Sequence, residues 1–307
     1  MSRHPIALPS QDAAATPASS ARVAYRTAKV DGLNVFYREA GPKDAPAIVL
    51  LHGFPASSHM FRDLIPLLAN RYRVIAPDYP GFGFSDAPPV EDFAYNFDHL
   101  AEVVDRFLVQ LGIEKYSIYI QDYGSPIGFR LAVAHPERIQ AIVSQNGNAY
   151  DDGLAPFWAE YLKPFWENRD AASEAKIRQL LTFEVTKYQY LQGARDPEHI
   201  SPDGYTLDQL LLDRPGNADI QVALFYDYRV NLTRYAAWHE YLRTAQPPLL
   251  AVWGKNDPIF LPAGAEAFLR DDPKAEVHLL DTGHFALEEE SNRIADYIVE
   301  FLDRNVR

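Results

Sequence analysis

The residues with the clearest chemical potential lie between Tyr119 and Ser125, which read Tyr-Ile-Gln-Asp-Tyr-Gly-Ser. A strand-like, largely apolar run over 117–120 ends at Asp122, and a glycine follows two residues later, before a helix-like stretch. This pattern is typical of a nucleophile elbow, a strained strand-to-helix turn that lifts one side chain above a parallel sheet. The usual occupant is serine, but here it is a carboxylate. A carboxylate that attacks an electrophilic carbon leaves an ester on the protein, which indicates chemistry at alkyl carbon, such as epoxides or carbon–halogen bonds.

Two further candidate residues follow in the chain order of a catalytic triad. Asp257 lies in Trp-Gly-Lys-Asn-Asp-Pro, just after a buried strand-like run, and His284 lies in Asp-Thr-Gly-His-Phe, just after the next one. Taken singly, Asp122 is also a good helix N-cap, Asp257 suits a turn before proline, and His284 is an ordinary loop histidine. All three follow the carboxyl ends of predicted strands, where open α/β sheets bind ligands. The order nucleophile, acid, histidine therefore predicts a triad.

The elements that must position this triad alternate along the chain. Strand-like runs occupy 23–28, 33–38, 47–51, 72–76, 115–120, 139–144, 249–253 and 276–280. Helix-like runs occupy 61–69, 97–111, 125–134, 262–270 and 287–302. The alternation predicts an α/β fold, with a mostly parallel eight-stranded sheet and helices on both faces.

The alternation is interrupted in the middle of the chain, where several helix-like pieces and no convincing strand occur. We predict one α/β core domain built from 22–148 and 245–307, with a helical cap over 149–244, because such insertions usually form lids over active sites. Residues 1–21 are rich in Ala, Ser and Pro and lack the apolar run of a signal peptide or a membrane span. We predict that they form a disordered extension.

Composition excludes several classes of function. The 307 residues carry a net charge of −13 and show no basic cluster, which argues against nucleic acid and anionic membranes as partners. The chain has no Cys and no metal-ligand spacing of His, so we expect neither a metal nor an organic cofactor. The 18 Tyr, 17 Phe and 4 Trp are enough to form both a core and an aromatic pocket for a small apolar organic substrate. We expect a cytoplasmic protein, and either a monomer or a homodimer.

These motifs resemble the α/β-hydrolase superfamily, specifically its epoxide hydrolase and haloalkane dehalogenase branch, over about residues 22–305. The run 52–55, His-Gly-Phe-Pro, is similar to the family's oxyanion loop, and the run 77–86 is similar to its second signature loop. The resemblance implies that Asp122 forms the ester and that backbone N–H groups of Phe54 and Tyr123 hold the oxyanion. It also implies that His284, oriented by Asp257, activates the water that hydrolyses the ester.

The resemblance leaves the leaving group open. Epoxide hydrolases use two lid tyrosines as proton donors, and Tyr228-Arg229 resembles the second of these sites. Tyr188-Gln189-Tyr190 resembles the first, with Tyr190 the preferred candidate. Among the aromatic residues of the predicted cap, we expect Trp158, Phe183 and Phe225 to line an apolar cleft.

Dehalogenases instead need N–H donors that face a halide, and usually carry Trp directly after the nucleophile and Asn or Glu at the position of Phe54. Tyr123 departs from both branches, since epoxide hydrolases also usually carry Trp there. Gln121 favours dehalogenation, since some dehalogenases carry Gln before the nucleophile where epoxide hydrolases carry His. Epoxide hydrolysis to a diol is the leading prediction and haloalkane dehalogenation is the alternative. Hydrolysis of an unusual ester or lactone, and ligand binding without turnover, are further alternatives.

Overall fold

The protein, represented by a computed structural model that describes residues 22–306, is built on an eight-stranded sheet. The strands are Ala24–Val30 (β1), Leu33–Ala40 (β2), Ala47–Leu51 (β3), Arg73–Pro77 (β4), Tyr116–Gln121 (β5), Ile139–Gln145 (β6), Leu249–Gly254 (β7) and Glu276–Leu280 (β8). Their spatial order is β1-β2-β4-β3-β5-β6-β7-β8. The β1–β2 and β2–β4 pairs are antiparallel and all other neighbours are parallel, which confirms the predicted fold class. The prediction for residues 1–21 lies outside the described residues.

Helices cover both faces of the sheet and fill the segment between β6 and β7. They are Leu64–Leu68 (α1), Phe97–Gln110 (α2), Gly124–Ala134 (α3), Lys163–Glu167 (α4), Ala171–Arg178 (α5), Phe183–Leu191 (α6), Pro202–Leu212 (α7), Asn217–Ala245 (α8), Ala263–Asp271 (α9) and Leu287–Asn305 (α10). None of the helices within 22–306 is long and apolar enough to cross a membrane. The segment between β6 and β7, residues 146–248, is called the helical insertion below and contributes no strand to the sheet described here.

The central strands are apolar because both of their faces are covered. In β3, Ala-Ile-Val-Leu-Leu, every residue is buried. Ile48 and Leu50 belong to the core shared with α1 and α10, whereas Val49 and Leu51 belong to the core shared with α2, α3, α8 and α9. Each such aliphatic side chain contributes about 1.5–3 kcal/mol when it is fully buried. This two-sided core fixes the strand ends from which the candidate residues project.

The approach of α3 to the sheet depends on glycine. A Cβ atom at Gly124 would lie 2.1 Å from the backbone oxygen of Leu51, and one at Gly128 would lie 2.5 Å from the Ile120 side chain. Larger residues would push the helix away from β3 and β5. The helix therefore begins directly after the end of β5, and this close junction holds the turn that contains Asp122.

Candidate active site

Asp122 occupies a left-handed turn between β5 and α3. Its φ is +48°, a conformation that costs a non-glycine residue about 1–3 kcal/mol and that often marks functional positions. Its Oδ1 accepts hydrogen bonds from the backbone N–H groups of Phe54 (2.8 Å) and Tyr123 (2.5 Å). Its Oδ2 lies 3.8 Å from Nε2 of His284. One carboxylate oxygen is thus held by two N–H donors, while the other stands near the histidine.

His284 is fully buried and is oriented by Asp257. Its Nδ1 lies 2.8 Å from Asp257 Oδ2, and because a carboxylate can only accept, Nδ1 carries the proton. Asp257 also accepts from the Asn146 side chain and from the backbone N–H of Ile259, both at 2.7 Å. The lone pair of the neutral ring therefore lies on Nε2, toward Asp122. The structure brings together the three residues predicted as a triad.

Burial and neighbouring charges have opposite effects on the pKa values of Asp122 and His284. Burial raises the pKa of Asp122 to about 6, against the lowering effects of His284 and of the two N–H donors. Burial alone lowers the pKa of His284, but the carboxylates of Asp257 and Asp122 outweigh it, so that this pKa is raised. Near neutral pH the Asp122 carboxylate is ionised, as an attacking nucleophile must be.

A cavity of about 420 Å³ opens above Asp122, between the sheet and the helical insertion. It is lined by Phe54, Asp122, Tyr123, Phe157, Trp158, Glu160, Tyr161, Gln179, Leu180, Val185, Tyr188, Gln189, Phe225, Pro258 and Ile259. Trp158 and Phe225 lie on it, as the sequence predicted. Phe54 and Tyr123 are buried beside Asp122, whereas Glu160 and Tyr188 are exposed. The cavity therefore runs from an exposed polar rim to a buried aromatic floor at the carboxylate.

Tyr190 and Phe183 do not line this cavity. The hydroxyl of Tyr190 donates to Asp208 Oδ2 at 2.5 Å, and its ring stacks on Phe285. Phe183 is 40% exposed and its ring packs against Tyr205. The reason is the phase of α6: positions three and four residues apart share a helix face, so the face that carries Tyr188 cannot also carry Tyr190.

Tyr228 lies beside the cavity without contributing to its lining. It is 1% exposed, and its ring centroid lies 4.5 Å from that of Trp158 and 5.9 Å from that of Tyr123. Burial raises the pKa of Tyr228 well above its ordinary value, so its hydroxyl keeps the proton. The second tyrosine candidate thus packs against two of the residues that line the cavity, Trp158 and Tyr123.

The two tryptophans nearest the cavity have their indole N–H groups engaged. Trp158 donates to the backbone oxygen of Ile259 at 2.9 Å, and Trp166 donates to that of Phe225 at 2.7 Å. By contrast, the hydroxyl of Tyr123 is buried and has no hydrogen-bond partner within residues 22–306. Among the described residues, the Tyr123 hydroxyl is therefore a free donor beside the cavity, whereas the two indole N–H groups are engaged.

Sequence reasoning missed Asn146 and undervalued Gln121. Asn146 directly follows β6 with φ of +49° and ties Asp257 to β7, since its side-chain nitrogen donates to Asp257 and its Oδ1 accepts from the Gly254 N–H at 2.9 Å. The signal was an Asn-Gly pair after a buried strand. The Nε2 atom of Gln121 lies 2.9 Å from Nε2 of His284, a contact that no spacing rule predicts. Within the described residues, no group of three or more His, Asp or Glu side chains is arranged to hold a metal ion.

Comparisons with known proteins agree with the fold. A family model described as alpha/beta hydrolase fold matches residues 46–291. An uncharacterized hydrolase of Saccharomyces cerevisiae is 46% identical over 280 residues, or 90% of this chain and 95% of the relative. A haloalkane dehalogenase of Psychrobacter cryohalolentis is 26% identical over 90% of this chain and 89% of its own. The solved structure of the epoxide hydrolase CorEH is similar with a TM-score of 0.76 at 21% identity, over 92% of this chain and 99% of that one.

Proposed function

The chain belongs to the α/β-hydrolase fold family, and on that premise we propose that it hydrolyses small apolar epoxides to diols through a covalent ester on Asp122. That it is a hydrolase follows from the family. The choice of Asp122 as nucleophile, of Asp257 and His284 as its triad partners, and of an epoxide as substrate is the proposal.

One observation supports ester formation on Asp122 above all others. Its own Oδ1 already occupies the pair of N–H donors of Phe54 and Tyr123, where an acyl-transfer enzyme would place the substrate carbonyl. A carboxylic ester or lactone would have to displace that oxygen. When Asp122 itself becomes the ester, Oδ1 becomes the carbonyl oxygen and is already in place. This argues for attack at alkyl carbon and against ordinary ester hydrolysis.

In the first step, Oδ2 of Asp122 would form a bond to a ring carbon of the epoxide as the ring C–O bond breaks. The electron pair stays on the former ring oxygen, which takes a proton from a tyrosine hydroxyl. Because an alkoxide is a poor leaving group, such a proton donor contributes about 10²–10⁴-fold to the rate. The product of this step is a hydroxyalkyl ester.

In the second step, His284 would take a proton from water at Nε2 while the hydroxide attacks Cγ of Asp122. The tetrahedral oxyanion forms at Oδ1, where the N–H groups of Phe54 and Tyr123 stabilise it. Its collapse expels the diol oxygen, which takes the proton from His284. The proton left on the Asp122 carboxyl restores the tyrosine hydroxyl, and the enzyme is regenerated.

The available donors favour an epoxide over a halide. Halide release needs weak N–H donors, but the indoles of Trp158 and Trp166 both donate to backbone oxygens. Hydroxyl groups supply the proton that epoxide opening needs. We propose Tyr188, which lines the cavity, as the first donor in place of Tyr190, and Tyr228 as the second.

Haloalkane dehalogenation is the second candidate function, because a dehalogenase is among the relatives that match nearly the whole chain. We also propose that the helical insertion acts as a cap. Its residues Trp158, Tyr188 and Phe225 form the wall of the cavity opposite the sheet, where they would exclude water during ester formation.

The intact mass of a His284→Gln variant after incubation with epoxides and haloalkanes tests the proposal. Without the base, the ester should form and persist. A mass gain equal to the whole substrate indicates epoxide addition, and a gain equal to substrate minus hydrogen halide indicates dehalogenation.

The matched control is the double variant His284→Gln/Asp122→Asn, analysed when freshly purified so that deamidation cannot restore the carboxylate. It should gain no mass. An adduct that persists in the double variant would place the ester on another residue. No adduct in either protein from a broad panel would contradict the proposed function.

A further inference from the structure

Gln121 stands in direct contact with the atom of His284 that would take the proton from water. It is the last residue of β5, it is fully buried, and its Nε2 lies 2.9 Å from His284 Nε2. When the ring is neutral, Nδ1 donates to Asp257 and Nε2 accepts, and the amide presents its nitrogen to that lone pair. The neutral base is therefore already hydrogen-bonded to Gln121.

The oxygen of the same amide makes no hydrogen bond in the described part of the chain. Within residues 22–306, Oε1 of Gln121 has no hydrogen-bond partner, although it is buried. A Cβ at Gly53 would lie 2.4 Å from this oxygen and 2.3 Å from Cβ of Asp122, so glycine leaves the space that the amide occupies. A buried acceptor without a partner costs about 1–3 kcal/mol, and such groups call for an explanation.

Protonation of His284 changes Nε2 from a hydrogen-bond acceptor to a donor. The neutral ring accepts there, whereas the imidazolium donates, and an unmoved amide would then set one N–H against another. A rotation of about 180° around the last side-chain bond of Gln121 would bring Oε1 to the new N–H. Because Oε1 has no partner to give up, this rotation breaks only the bond to His284.

We propose that Gln121 is a positioning residue for ester hydrolysis, whose amide yields the Nε2 lone pair to water and then rotates to accept from the protonated ring. This inference rests on the proposed function, because it concerns the step in which His284 takes a proton. Asp122 and Asp257 are the carboxylates that face the ring. Since Asp122 is neutral while esterified, the Gln121 oxygen would then join Asp257 in stabilising the imidazolium.

Gln121→Met tests this role, because it keeps the length of the side chain and removes both amide ends. In rapid-quench mass measurements, ester formation on Asp122 should proceed at the wild-type rate, while ester hydrolysis should slow by about tenfold or more, the loss of one hydrogen bond to a charged group. The ¹⁵N resonance of His284 Nε2 in the resting protein should move toward that of a ring nitrogen without a donor.

Gln221→Met is the matched control. Gln221 is 1% exposed, and its Oε1 also has no partner in the part of the chain that the structure describes, but it lies on α8. This variant should leave both rates and the His284 resonance unchanged. If Gln121→Met does not fold, Gln121→Leu serves in the same comparison.

An unchanged His284 resonance in Gln121→Met would overturn the inference, as would hydrolysis at the wild-type rate or an equal slowing of both steps. If wild type itself formed no ester, the proposed function would fail instead, and the ring resonance alone would then decide whether Gln121 pairs with His284.

Discussion

At the scale of single residues, the proposed first chemical step requires that Asp122 be ionised. Burial raises its pKa to about 6, because the lowering effects of His284 and of the Phe54 and Tyr123 N–H groups do not fully offset desolvation. An acid whose pKa is raised is protonated over a wider range of acidic pH. Only the carboxylate attacks carbon, so the rate of ester formation reports this equilibrium.

We therefore expect the rate of ester formation to be constant at neutral pH and to fall as the pH drops through about 6, by about tenfold per unit well below the pKa. The measurement is the single-turnover adduct rate of His284→Gln, compared with wild type, between pH 5 and 8. Because His284 lowers the pKa of Asp122, its replacement should move the fall to higher pH in the variant. A rate independent of pH over this range in both proteins would refute the assignment.

The two neighbouring tyrosines of α6 provide a matched pair. Tyr188 lines the cavity, whereas the Tyr190 hydroxyl donates to Asp208. Tyr188→Phe should slow ester formation from epoxides by about 10²-fold, as expected for loss of a general acid. Tyr190→Phe should leave that rate unchanged and lower the free energy of unfolding by about 1 kcal/mol. Rapid-quench adduct rates and urea unfolding of both variants measure these effects, and the reverse pattern would restore Tyr190 as the donor.

At the scale of elements, the sequence predicted the strands of the core better than the helices of the insertion. Runs such as β3 and β8 are short, with turn residues after them, and their bounds match the predicted ones. The helix predicted over 61–69 is shorter in the structure, Leu64–Leu68 (α1), and a 3₁₀ turn, Ser58–Phe61, precedes it. Local propensity does not decide between these two forms of helical turn.

The same limit explains why Tyr190 was preferred over Tyr188. Helix α6 carries aromatic side chains on more than one face, so its periodicity does not reveal which face meets the cavity. Its orientation is set by α7, which buries Thr186 and Tyr190 through hydrogen bonds to Gln209 and Asp208. These partners lie about twenty residues away in the chain, beyond the reach of any pattern within the helix.

The contact between α6 and α7 also makes the stability of the protein depend on pH. Burial raises the pKa of Asp208 to about 8, although the Tyr190 hydroxyl lowers it. An unfolded aspartate has a pKa of about 3.9, so between these values the folded chain binds a proton that the unfolded chain has lost. The free energy of unfolding should therefore fall as the pH rises from about 4 to 8.

Asp208→Asn removes this titration and keeps an oxygen that accepts from Tyr190. Its melting temperature should fall less than that of wild type between pH 6 and 9, and calorimetry at each pH measures the difference. Asp203→Asn, at an exposed position of the same helix, should follow the wild-type slope. Equal slopes for all three proteins would mean that Asp208 is ionised in the folded state.

At the scale of the whole molecule, the fold gathers residues that are far apart in the chain. Asp122 follows β5, Asp257 follows β7 and His284 follows β8, and these parallel strands present their carboxyl ends at one edge of the sheet. Chain order and strand pattern were sufficient to predict that meeting. The contacts of Asn146 with Asp257 and of Gln121 with His284 were not predicted, because they depend on the register between neighbouring strands.

The edge strand β1 lies far from the candidate site and contributes to the stability of the sheet. Every residue of the candidate site lies at position 52 or later, and β1 begins at Ala24. A protein that starts at residue 22 should therefore keep the turnover and the melting temperature of the full chain. A protein that starts at residue 31 lacks β1, which pairs with β2 from Ala24↔Glu39 to Val30↔Leu33 and buries Ala28 and Val30.

Its melting temperature should fall by several degrees, because an edge strand and its apolar contacts are lost and β2 is left with unpaired backbone groups. Calorimetry and initial rates on the same epoxide, for all three lengths of chain, make the comparison. A large loss of activity already at residue 22 would show that residues 1–21 contribute to the site. An unchanged melting temperature at residue 31 would show that the hairpin adds nothing to the stability of the sheet.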